Sequence, residues 1–104
     1  MVGSKMSTKP RRQFSRLPFG ETVKKLMEKK GLTYRTLASK THISAGYLNH
    51  LVHGNRPVPS NLVIASIAKA LGVQADYFRE YRIRCVTDRL KDDLNLTDRL
   101  YRRL

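Results

Sequence analysis

Two helices can be read between Thr33 and Arg56, TYRTLASKTHISAGYLNHLVHGNR, and the shortness of the joint between them constrains the fold more than any other feature. Leu32–Thr33 reads as a helix start, with Thr33 as N-cap and Leu32 and Leu37 able to close as a hydrophobic staple. Ile43, Ser44 and Leu48 repeat that arrangement eleven residues on, so a second helix begins at Ser44. Gly54 supplies the left-handed residue that ends it, and Asn55 follows. Only Thr41 to Ile43 remain for the turn. Helices this short are not stable alone. They must rest on neighbours and turn the second helix outward.

The neighbours are legible on both sides. Pro18 suits the first position of a helix. Phe19, Val23, Leu26 and Met27 then share one face, with Lys24, Lys25, Lys29 and Lys30 largely off it. Gly31 ends that helix. The pair itself runs about 34–40, burying Leu37 and Ala38, and about 45–53, burying Leu48 and Leu51. The loop Arg56–Pro59 holds two prolines and leads to Ser60, an N-cap for a fourth helix. Leu62, Ile64, Ala65, Ile67, Ala68 and Leu71 make that helix apolar on most sides, which predicts the central, most buried element. Gly72 stops it. Val73 to Phe78 fits a short fifth helix that closes the core.

The ends differ from this domain. Residues 1–16 lack hydrophobic periodicity and read as a mobile arm. Met6 offers a second candidate start. In 79–104, Ile83, Val86, Leu90 and Leu94 fall on one stripe at helical spacing, with charged residues around them. A lone stripe needs cover, either by folding back or by pairing with a second chain, and pairing is the expectation. Asn95 or Thr97 is a candidate break, with Thr97 as N-cap and a Leu96–Tyr101 staple starting another helix. The organisation is therefore all-α: an arm 1–16, a five-helix domain 17–78 and a helical extension 79–104.

Charge narrows the partner. The chain has 21 Lys and Arg against 8 Asp and Glu, a net +13. Residues 1–16 carry five basic and no acidic residues, so the arm is the densest positive segment. A surplus this large exceeds what solubility asks for and predicts a polyanion. Cys85 is alone, which fits a reducing, cytoplasmic setting. The longest apolar run, Leu62 to Ala65, is far too short to cross a bilayer. No Ser–His–Asp grouping, glycine-rich phosphate loop or paired carboxylates suggest catalysis. His50 and His53, with His42 nearby, lack an acidic or Cys partner, so neither a metal nor a cofactor is expected. Asp92–Asp93 reads as a solvated helix face.

The run LTYRTLASKTHIS…YLNHLVHGNR…PS…IAKALGV resembles the Xre/Cro/repressor class of helix-turn-helix DNA-binding proteins, lambda-repressor-like in fold. The resemblance covers about 19–78. It implies a sequence-specific transcriptional regulator of repressor type, not an enzyme, that binds double-stranded DNA as a homodimer with helix 45–53 in the major groove. Ala45, Gly46, Tyr47, Asn49 and His50 would then meet base edges, with Asn49 able to pair bidentately with adenine. Thr33, Tyr34, Arg35, His53, Asn55 and Arg56 would meet phosphates, helped by backbone N–H groups at the starts of the paired helices. Lys9, Arg11 and Arg12 would follow a groove as a flexible arm.

Several positions depart from the class. Tyr34 stands where Gln is usual. Ala45 and Gly46 occupy helix-start positions that often read bases, so DNA shape would carry more of the readout. His42 replaces the usual turn glycine, and Pro57–Val58 lengthens the loop by one residue. Met27 and Val52 replace a common Arg–Glu pair, which predicts an apolar contact between the first and third helices. Two other readings compete with the regulator. One is a low-specificity architectural DNA-binding protein; the other is an antitoxin-like module whose tail engages a second protein.

Overall fold

Hydroxyl caps open three of the helices, and left-handed residues close four of them. Thr33, Ser44 and Ser60 each accept a hydrogen bond through the side chain from the backbone N–H three residues on. Gly31, His42, Gly54 and Gly72 have positive φ. The computed structural model, which describes residues 14–104, is all-α over them. Its elements are α1 (Phe19–Lys30), α2 (Tyr34–Thr41), α3 (Ala45–Val52), α4 (Asn61–Leu71), a 3-10 turn (Ala75–Tyr77), α5 (Arg79–Asp92) and α6 (Leu94–Arg102).

The joint between α2 and α3 is held by a side chain. His42 sits at φ 61°, so the left-handed residue that the turn needs is a histidine, one of the residues that tolerates it best. Its N–H donates to Ala38 O at 2.8 Å. The next N–H, that of Ile43, donates to the Thr41 hydroxyl, which in turn donates to Leu37 O at 2.8 Å. Thr41 is buried. Its hydroxyl gives the Ile43 N–H a partner that the helix does not supply.

One core joins these helices. Phe19, Val23, Leu26 and Met27 of α1 meet Leu37, Leu48, Leu51 and Val52, and α4 adds Ile64, Ile67, Ala68 and Leu71. Phe78 closes it, its ring 5.0 Å from that of Phe19. Met27 and Val52 are both buried in this cluster. A close approach of α1 to α3 occurs at Gly20, where a β-carbon would lie 2.6 Å from Val52 O.

Four expectations are corrected. The segment Val73 to Phe78 forms only the 3-10 turn Ala75–Tyr77, because Phe78 is already extended, at φ −86° and ψ 130°. Helix α4 is buried on one face rather than most sides: Leu62 is 85% exposed and Ala65 is exposed. The stripe Ile83, Val86, Leu90 and Leu94 does not run along one helix. Asp93 breaks it, leaving α5 at φ −133° and capping α6 by accepting from Leu96 N–H at 3.0 Å. Thr97 is thus inside α6 and is not its N-cap; its hydroxyl donates to Leu90 O near the end of α5 and to Asp93 O.

The fourth correction concerns the root of the arm. Ser15 is buried, bonded through its hydroxyl to Thr22 and through its N–H to Tyr77 O at 2.9 Å. Arg82 donates to Ser15 O at 2.7 Å and lies over the Phe14 ring at 4.5 Å. Residues 14–16 belong to the folded body.

The first turns of α5 brace that body at three points. Glu80 accepts from the Phe19 N–H, capping α1 where Pro18 offers no side-chain oxygen. Arg82 also donates to Asp76 O and Tyr77 O, both at 3.0 Å. Arg84 reaches back to the loop between α3 and α4, where it donates to Val58 O and Pro59 O, and to Asn61 Oδ1 at the start of α4.

Candidate nucleic-acid interface

Helix α3 is locked on one side and open on the other. Leu48, Leu51 and Val52 are buried, and the Ser44 hydroxyl accepts from Tyr47 N–H at 3.1 Å to fix its start. Gly46, Asn49, His50 and His53 are exposed. No hydrogen bond among the described residues engages the Asn49 amide or the His50 ring. Asn49 therefore keeps its donor and its acceptor for an outside partner. Ala45 is half-buried. Tyr47 is half-buried too and packs against the core, so much of its ring is committed to the domain.

The other expected contacts divide the same way. Arg35, Asn55 and Arg56 are exposed. Tyr34 is half-buried against the core. The Thr33 hydroxyl accepts from Thr36 N–H and bonds the Thr36 hydroxyl, so it serves the start of α2 first. His53 Nδ1 lies 2.8 Å from Asn49 O, which makes Nδ1 the donor and turns Nε2 away from the helix. Beyond it, Gly54 N–H donates to Leu51 O and Asn55 N–H to His50 O, closing α3 with both bonds of a Schellman motif. His53, Gly54 and Arg56 line one open cleft with the start of α1. Lys9, Arg11 and Arg12 lie outside the described residues.

The arrangement presents side-chain amide and imidazole groups in a strip, with Arg56 just beyond the helix end. It has the parts for base-edge hydrogen bonds and for anion contacts. Two residues that shape it were not read from the sequence. Thr41 carries no signal beyond being a hydroxyl in a turn. Gly20 carries one, since a lone glycine within a helical pattern often marks a close approach. Among the described residues, no group of three or more His, Cys, Asp or Glu could hold a metal ion. No helix among them is long and apolar enough to cross a membrane.

Residues 18–85 match the family described as a helix-turn-helix domain. The chain belongs to the helix-turn-helix domain family, a DNA-binding fold. The match runs past residue 78 into α5, in keeping with the bracing by Glu80, Arg82 and Arg84. A crystal structure of the clp gene regulator ClgR from C. glutamicum is similar, with 36% sequence identity and a TM-score of 0.50, over 54% of this chain and 71% of that one. No curated protein matches.

Proposed function

We propose that the protein is a sequence-specific, double-stranded-DNA-binding regulator of transcription, acting in the cytoplasm as a homodimer with α3 in the major groove. The observation that carries this reading is the exposed Gly46–Asn49–His50 strip on a helix whose opposite face is fixed in the core. Asn49 and His50 supply base-edge hydrogen bonds. Ala45 and Gly46 let the helix approach closely and leave part of the selection to DNA shape. Arg35, Asn55 and Arg56 supply phosphate contacts, with Lys9, Arg11 and Arg12 adding charge from the arm. Similarity to a protein titled a gene regulator supports the transcriptional part.

The test is to select bound sites from a random DNA pool and compare the selected duplex with random duplex over a range of salt. A regulator binds its site on the order of a thousandfold or more tighter than random DNA. Equal binding at every salt concentration makes it an architectural protein, a reading that the +13 charge and the small Ala45–Gly46 helix start also support. No binding to either duplex points to a protein partner.

The dimer rests on unpartnered apolar side chains. Ile83 and Val86 on α5 are 54% and 58% exposed, and Leu94 and Tyr101 on α6 are 68% and 73% exposed. Leu90 is only half-exposed, next to the α5–α6 joint, so it contributes less to a surface than its place on the stripe implies. Exposed apolar side chains such as these favour association. Val86→Asp with Leu94→Asp should leave a folded monomer that binds DNA more weakly. Sedimentation decides it: a wild-type monomer, or a dimer that survives both changes, removes the seam.

A further inference from the structure

We infer that Arg84 is a positioning residue for the DNA-backbone contact of Arg56, and that it acts by clamping the loop between α3 and α4. This rests on the proposed phosphate role of Arg56. The Arg84 guanidinium donates through Nη1 to Pro59 O and, at 3.0 Å, to Asn61 Oδ1, and through Nη2 to Val58 O at 3.2 Å. These partners lie 23 to 26 residues away in the chain. Among the described residues no carboxylate pairs with it. Its donors go to the loop and to the first residue of α4 instead.

The loop has few other hydrogen bonds to hold it. Pro57 and Pro59 have no N–H, and no backbone N–H between Arg56 and Ser60 donates to a backbone carbonyl among the described residues. The next backbone bond before the loop is Asn55 N–H to His50 O, and the next after it is Ile64 N–H to Ser60 O. Between them the path of the chain is set by two proline rings, by the packing of Val58 against the core with Pro59 buried beside it, and by the hydrogen bonds of Arg84. Pro57 also restricts the backbone of Arg56 to extended conformations. Fixing Val58 and Pro59 therefore fixes where the exposed Arg56 side chain begins. A planar fork suits the task, because one guanidinium can hold three oxygens in a set geometry and an ammonium cannot.

The clamp sits between Ile83 and Val86 on α5. The helix that carries the proposed dimer seam thus also holds the loop that grips the backbone. Neither function needs Arg84 to touch DNA.

The experiment is a double-mutant cycle on the full chain. Arg84→Gln and Arg84→Lys are each measured alone and with Arg56→Ala, by binding to the selected DNA site, with thermal unfolding to confirm the fold. Each single Arg84 variant should weaken binding roughly tenfold, and by less than about twofold when Arg56 is already Ala. Arg84→Lys should not rescue. Restored binding in Arg84→Lys would mean that Arg84 acts by its charge alone, and an equal loss in both backgrounds would mean that it acts elsewhere; either overturns the inference. Backbone order parameters at Arg56, Val58 and Ser60 give a readout independent of DNA. They should fall from about 0.85 to below about 0.6 in Arg84→Gln while α3 stays rigid. Unchanged values overturn the clamp even if wild-type protein binds no DNA, an outcome that would overturn the Arg56 reading separately.

Discussion

Replacing Gly20 by alanine is expected to lower Tm, by up to roughly 15 °C, although the same exchange stabilises most helices. Alanine gains about 1 kcal/mol over glycine inside a helix. Here the new methyl group would lie 2.6 Å from Val52 O and 2.8 Å from Leu51 O. Both are backbone atoms, so neither can rotate away. Helix α1 or the end of α3 must move, and overpacking of this kind costs about 1–3 kcal/mol. Leu51 O also accepts from Gly54 N–H, so displacing it loosens the closure that leads to Arg56. Gly46→Ala is the control, since a β-carbon there meets nothing within 4 Å. It should raise Tm. Circular dichroism melts of both variants check the pair; a Gly20→Ala protein that gains as much in Tm as Gly46→Ala would mean that the two helices are not in close contact.

What was legible in the sequence is what acts over a few residues. Thr33, Ser44 and Ser60 cap the helices they were expected to cap, because a hydroxyl and an N–H three residues on are close whatever the rest of the chain does. The inward face of α1 and the exposure of Asn49 and His50 follow equally from helical spacing. Apolar content misled at α4. Leu62 and Ala65 are apolar yet outward, and the narrower set Ile64, Ile67, Ala68 and Leu71 marks the buried face. Asp92–Asp93 read as a solvated face, whereas Asp93 is the hinge between α5 and α6, because an aspartate can cap a new helix as readily as decorate an old one. The arginine bonds were not legible at all. Arg82 and Arg84 donate mostly to backbone carbonyls, and every residue has one, so no partner type betrays the contact.

The same distinction between local and delocalised contacts separates specificity from affinity at the interface. Arg56→Ala should weaken the selected site and random DNA alike and lower the salt slope by about one unit, because a phosphate is present at every sequence. Asn49→Ala should cost roughly 1–3 kcal/mol on the selected site and almost nothing on random DNA, because its amide has a donor and an acceptor to match to one base. His50→Ala should act in the same direction but more mildly, having fewer bonds to lose. His53→Ala is a poor substitute for either, since it also removes the Nδ1 bond to Asn49 O and so disturbs the end of α3. Binding isotherms on both duplexes at several salt concentrations resolve the variants. If Asn49→Ala weakens both duplexes equally, α3 is not reading bases and the architectural reading gains. If neither Arg56→Ala nor Asn49→Ala changes DNA binding, this face has some other partner, and a protein becomes the leading candidate.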